Sequence, residues 1–138
     1  MTVVSSTLVR AGGLCGLVVA ACSGARGKPS PTCPSSAAFQ GAVNDHGSVP
    51  SRGATDSVII DDAFFSPTCI TGVAAGTVTL VLTNRGRILH NISFPDQAID
   101  QDVAPGETFA VQVHMAKHMV GFNCKYHRLA GMAGSLMP

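Results

Sequence analysis

Residues 77–94 read T-V-T-L-V-L-T-N-R-G-R-I-L-H-N-I-S-F. Val78, Leu80 and Leu82 fall on one side of the first seven positions and Thr77, Thr79, Val81 and Thr83 on the other, the period of a half-buried strand. N-R-G-R (84–87) is a turn, and Ile88, His90, Ile92 and Phe94 then share the next apolar face. The same punctuation continues outward in both directions. S-V-I-I-D (57–61), Phe64 and Phe65 before the turn S-P (66–67), and C-I-T-G-V (69–73) lie upstream. Downstream of a polar connection after Pro95, the turn A-P-G-E (104–107) leads into T-F-A-V-Q-V-H (108–114), with Phe109, Val111 and Val113 on one face. H-M-V-G-F-N-C (118–124) groups Val120, Phe122 and Cys124, and a short strand is expected over residues 133–137. About seven short strands with no helical period between them predict an all-β, antiparallel sandwich.

The 138 residues suffice for one cored domain. Trp is absent and aromatics are only 5%, while 15 Gly and 8 Pro supply turns, which suits a small β domain. Nine Lys/Arg against eight Asp/Glu give +1 without blocks of one sign, which argues against nucleic-acid binding. Residues 11–22, A-G-G-L-C-G-L-V-V-A-A-C, follow Arg10 as a short apolar run that reads as a secretory leader. Its ending V-A-A-C (19–22) looks like a bacterial lipobox, so residues 1–21 are expected to be removed and Cys22 acylated. The alternative is an ordinary signal peptide that contains a Cys. Without Arg10 the basic and acidic side chains balance, so lipid rather than charge would hold the chain to a membrane. Residues 22–56 are rich in Ser, Gly, Pro and Ala and read as a flexible linker, with a stray strand near 37–43 and His46 as a solvated loop imidazole. The domain is expected over residues 57–138.

The chemistry is concentrated in the last third. His90 is the polar member of an apolar face, so its imidazole is expected in the core, where it needs a partner. Cys124 ends a strand on an inward face and opens C-K-Y-H-R-L-A-G-M (124–132), a Cys-x2-His-x4-Met spacing. One thiolate, two imidazoles and a thioether form the donor set of a type 1, or blue, copper site. A loop after Cys124 would bring His127 and Met132 to the same ion, with Gly131 letting the chain fold back. Structural zinc does not usually take a thioether. A binuclear copper centre would want a second thiolate beside Cys124. A metal-free reading treats Cys124 and Met132 as ordinary core residues.

Three stretches resemble the cupredoxin family, notably its plastocyanin- and amicyanin-like small blue copper proteins. F-N-C-K-Y-H-R-L-A-G-M-A-G (122–134) is similar to the family's F-x-C-x2-H-x4-M-x-G pattern. N-R-G-R-I-L-H-N-I-S-F (84–94) looks like the segment with the upstream His-Asn pair, and F-S-P-T-C-I-T-G-V-A-A-G-T-V (65–78) like the entry into the third strand. The resemblance implies a Greek-key sandwich of seven or eight strands with one copper at one end. It makes His90, Cys124 and His127 equatorial ligands, Met132 the axial one, and Asn91 the residue whose side chain braces the ligand loop. A-K-H-M (116–119) departs from the family's Pro-Gly turn.

These readings lead to a monomeric, membrane-tethered, extracytoplasmic carrier that passes single electrons between redox proteins. Its electron port would be His127, inside an apolar rim of Leu129, Ala130, Ala133 and Leu136. The alternative is a copper chaperone or buffer that delivers the ion to another protein. An enzyme is not expected, because Asn123 and Lys125 rather than His flank Cys124 and no second domain supplies further ligands. His114 and His118 are expected on surface loops, the alternative being a low-affinity copper acquisition site. Cys33 and Cys69 are the candidate disulfide for an oxidising compartment, worth roughly 3–4 kcal/mol of chain entropy if the tether returns to the domain.

Overall fold

The computed structural model describes Cys33 and residues 41–138. The leader and Cys22 lie outside the described residues, as does much of the linker; of the stray strand, residues 41–43 carry no strand and the rest also lies outside. The strands are β1 (Ser48–Pro50), β2 (Thr55–Asp61), β3 (Phe64–Ser66), β4 (Cys69–Thr71), β5 (Gly76–Asn84), β6 (His90–Phe94), β7 (Ile99–Val103), β8 (Thr108–Met115), β9 (Val120–Asn123) and β10 (Ala133–Leu136). Single 3-10 turns follow β6 (Pro95–Gln97) and precede β10 (Arg128–Ala130). Among the described residues no helix is long and apolar enough to cross a membrane.

The strands form two sheets, ordered β1-β4-β10-β9-β6-β7 and β3-β2-β5-β8. The alternation read in β5 and β8 becomes their pairing: Val78, Leu80 and Leu82 stand opposite Val113, Val111 and Phe109. All but the half-buried Phe109 are buried, and each fully buried Val or Leu contributes about 1.5–3 kcal/mol. The sheets meet through aromatics. Phe122 of β9 lies edge-on to Phe65 of β3, with ring centroids 5.1 Å apart, and 5.3 Å from Phe94 of β6. The molecule is thus the expected all-β sandwich, but its sheets are mixed. β1 and β10 both run parallel to β4, and β2 runs parallel to β5.

Two strands correct the sequence reading. The polar connection after Pro95 contains β7, I-D-Q-D-V, paired with β6 from His90↔Val103 to Phe94↔Ile99. The sandwich also starts before Ser57, because β1 adds to the edge of β4 and β2 begins at Thr55. The last residues assigned to the linker are therefore part of the fold. Cys33 and Cys69 form a disulfide with Cα atoms 5.5 Å apart. The Ser135 hydroxyl lies 3.0 Å from the Cys69 sulfur and 3.4 Å from that of Cys33, joining the bridge to β10. His46 is exposed, as a loop imidazole should be, yet its ring stacks flat on Phe64 at 3.6 Å.

Candidate metal centre

At one end of the sandwich, β6 begins with His90 and β9 runs into Cys124, two neighbouring strands of the same sheet. Both side chains are completely buried, and Cys124 is a free thiol. Strand pairing supplies the rigid half of the site. The loop 124–132 supplies the other half, and its backbone knots it tightly. The Cys124 carbonyl accepts the His127 amide at 3.2 Å, the His127 carbonyl accepts the Met132 amide at 3.2 Å, and the Met132 carbonyl accepts the Cys124 amide at 3.0 Å. Met132 therefore starts beside Cys124, and its side chain is buried.

One ligand atom from each of His90, Cys124 and His127 lies within 4.8 Å of the other two. The Cys124 Sγ is 3.9 Å from His90 Nδ1 and 3.5 Å from His127 Nδ1. An ion held in one plane at about 2.0–2.3 Å from such atoms spaces nitrogen and sulfur ~3.7 Å apart. The two observed separations bracket that value, so the residues fit a small metal ion. The imidazole rings stand 4.8 Å apart between centroids and are tilted by 52°. Burial, then repulsion from His127, lower the His90 pKa, and the nearby Asp62 only partly opposes them. The neutral imidazole, the form that ligates a metal, is thereby favoured at neutral pH.

The other His90 nitrogen is unusual. Nε2 is buried with no hydrogen-bond partner. Its nearest carboxylate oxygen, Asp62 Oδ1, stands 3.9 Å away, which is too long for a hydrogen bond. Arg87 fixes that carboxylate: its backbone amide donates to Oδ1 at 2.9 Å and its Nε to Oδ2 at 3.0 Å. These bonds, the backbone one foremost, lower the Asp62 pKa. Gly86 makes room for the arrangement, since a Cβ there would lie 2.7 Å from Asp62 Oδ1.

Asn91 is buried and faces the loop. Its Oδ1 accepts the Lys125 amide at 3.4 Å, and its Nδ2 donates to Asp100 at 2.7 Å and Asp102 at 3.0 Å. The Lys125 ammonium reaches the same two carboxylates at 2.8 and 3.0 Å, and the Tyr126 hydroxyl donates to Asp102 at 2.8 Å. The residues just after Cys124 are thus latched to the β6–β7 hairpin. Lys125 holds the Asp100 pKa below its ordinary value, and Tyr126 does the same for Asp102. Sequence reading missed Asp62, Asp100 and Asp102. The alternation I-D-Q-D-V was the available sign, because it puts both acids on one face of β7.

The remaining candidates lie elsewhere. His114 and His118 are exposed and neither joins the cluster; His114 sits within β8 rather than on a loop, and its backbone bonds the Gln97 side chain. The apolar rim needs correcting. Leu129 is fully exposed and Ala130 is exposed, but Ala133 and Leu136 are buried in β10. The large exposed hydrophobic side chains nearest in sequence to the site are Ile88, Leu89, Tyr126 and Leu129.

No known family's sequence profile matches this chain, and no curated protein matches it. Solved structures do. Auracyanin B is similar at 19% identity and a TM-score of 0.50, over 70% of this chain and 95% of that one. The metal-binding domain of the Cu(I)-exporting P-type ATPase CopA of Streptococcus pneumoniae D39 is similar at 11% identity and a TM-score of 0.54, over 67% of this chain and 95% of that one. A purple cupredoxin from Nitrosopumilus maritimus also matches, at 19% identity and a TM-score of 0.47, over 59% of this chain and 96% of that one. The fold is cupredoxin-like.

Proposed function

We propose that this protein binds one copper ion, which His90, Cys124 and His127 would hold with the Met132 thioether as a weak fourth donor, and carries single electrons. The supporting observation is the convergence of two imidazole nitrogens and one free thiol sulfur at metal-ligand spacing in a buried site. A bound copper would supply the Cu(II)/Cu(I) couple. The chain's own part is to hold the ligands in place: strands fix His90 and Cys124, while the Asn91 network and the loop backbone fix His127 and Met132. A pocket that is already assembled needs little rearrangement when the charge changes, and excluding water around Cys124 tunes the potential. His127, half-buried where its two partners are sealed, is the exit toward a redox partner.

The disulfide accords with an extracytoplasmic home, and acylation at Cys22 would anchor the mature chain to a bacterial membrane. The reading assigns no catalysis. Copper delivery is the second reading, since the likeness to a metal-binding domain of a Cu(I) exporter means that the same fold serves copper handling. A carrier keeps its copper through repeated redox cycles against a moderate chelator, whereas a delivery protein gives it up.

The deciding experiment is the visible spectrum of the Cu(II)-loaded chain beside Cys124→Ser. An intense thiolate-to-copper band is expected in the parent and lost in the variant. A parent without that band, or a variant that keeps it, removes the proposal.

A further inference from the structure

The chain just before β1 looks like a spacer by composition, yet it bears directly on the ligand loop. Asn44 donates its backbone amide to the Gly131 carbonyl at 2.9 Å. Gly131, the residue before Met132, is buried with φ +78°, and a Cβ there would run into the Ala42 carbonyl and lie 2.9 Å from the Asn44 nitrogen. Residues 42–44 therefore lie flush against the end of the loop at a distance only glycine permits. A cleft of ≈ 680 Å³ beside this contact is lined by Ala42 and Val43 together with Arg128, Leu129 and Met132.

The segment is fastened on both sides of the contact. Downstream, the His46 amide donates to Thr68 Oγ1 at 2.7 Å, and the Gly47 carbonyl accepts the amides of Thr68 and Cys69 at 2.9 and 3.1 Å. Upstream, Cys33 is buried and bonded to Cys69. Both fastenings end on the same stretch, Thr68–Cys69, beside β10. Residues 42–44 lie in sequence between these two fastenings.

We propose that residues 42–44 are a strap that positions the 124–132 loop, and Met132 in particular, with the Cys33–Cys69 disulfide keeping the strap closed. The inference rests on the copper-site reading for its functional consequence, but its structural half is independent of metal. Asn44 and Gly131 are positioning residues: they touch the ligand loop and not the ion. Releasing the strap frees Gly131 and lets Met132 move relative to Cys124. A weak thioether donor would tune the potential of a bound copper, so the release would be felt there first.

The test uses the full chain as parent, as Asn44→Pro, which deletes the amide donor, and as Asn44→Ala, which keeps that donor and removes only the exposed side-chain bonds to the Ala63 carbonyl and His46, bonds the proline also lacks. A Cys33→Ser/Cys69→Ser double variant opens the upstream fastening. Amide hydrogen exchange on the metal-free proteins reads the loop directly at Cys124, His127, Gly131 and Met132. These amides are expected to exchange about tenfold faster in Asn44→Pro and in the double variant, as for loss of one net hydrogen bond. The β5 and β8 amides should be unchanged, and Asn44→Ala should behave as the parent. On the copper-loaded proteins, Asn44→Pro should shift the reduction potential and the ratio of the visible bands and release Cu(I) to a chelator about tenfold faster, while Asn44→Ala should not. Unchanged loop exchange in Asn44→Pro overturns the strap, and so does faster exchange with an unaltered potential and spectrum. A parent that takes up no copper sinks the copper reading instead, and the exchange data still decide the strap. Should the double variant fail to fold, Asn44→Pro against Asn44→Ala carries the decision.

Discussion

His90 presents two nitrogens to two environments, and only one of them is occupied by the proposed chemistry. A neutral ring that gives its Nδ1 lone pair to a metal beside Cys124 would carry its proton on Nε2, where no acceptor lies within hydrogen-bonding distance. A buried donor left unmade is costly, so the site gains if the 3.9 Å gap to Asp62 closes when Nδ1 takes a metal. A carboxylate behind a ligating imidazole raises its basicity and favours the more highly charged ion. Asp62→Asn keeps the shape and removes the charge, and is expected to raise the Cu(II)/Cu(I) potential. The rise should stay below the ~59 mV that marks a tenfold change in a one-electron equilibrium, because Asp62 is partly solvated and already paired with Arg87. Voltammetry at neutral pH checks it, and a potential that falls or holds still rejects the Asp62 role.

At the scale of elements, β7 has more to do than complete a sheet edge. Its Asp100 and Asp102 collect Asn91, Lys125 and Tyr126, and so fasten the start of the ligand loop to the β6–β7 hairpin. Both pKa values are lowered in the fold, chiefly by Lys125 for Asp100 and by Tyr126 for Asp102. A depressed carboxylate contributes stability that is full above its unfolded value of about 3.9 and is lost as pH falls through the folded value. The metal-free parent should therefore lose more stability than Asp100→Asn/Asp102→Asn on acidification from pH 6 to 2, as read by urea unfolding. Both acids are solvent-screened, so the difference will be small; parallel curves would mean that the latch adds nothing. This same strand explains a gap in legibility. β5 and β8 were readable because a half-buried sheet imposes a period of two on apolar residues, and Cys124, His127 and Met132 were readable because their spacing is local. β7 reads as a loop because the acids that make it useful replace the apolar residues that would have marked it. β1 and the strap were hidden for another reason: their order comes from a disulfide and from backbone bonds to distant strands, which composition does not record. The parallel pairings of β4 with β1 and β10 join strands far apart in sequence, so no local pattern announces them.

Across the whole molecule, charge gives little direction to an approaching partner. Nine basic and eight acidic side chains leave a net +1, and the acidic pair nearest the ligand loop is neutralised in part by Lys125. A proposed partner would therefore gain little electrostatic steering, and its contact at the site end would rest on shape and apolar area. Leu129 is the side chain best placed to provide it. It is fully exposed in the 3-10 turn directly after His127, the one half-buried member of the cluster, and nothing in the fold uses its side chain. Leu129→Glu puts a charge where the proposed partner must dock, without touching a ligand or the core. The expected result is slower electron exchange with the proposed redox partner, by about tenfold if docking loses the burial of one leucine. The copper spectrum and the unfolding midpoint should be unchanged. Stopped-flow reduction at two ionic strengths separates the causes: a loss that survives high salt is lost apolar contact, and one that salt restores is charge repulsion. An unchanged rate at both strengths would move the docking face away from His127, and with it the exit for the electron.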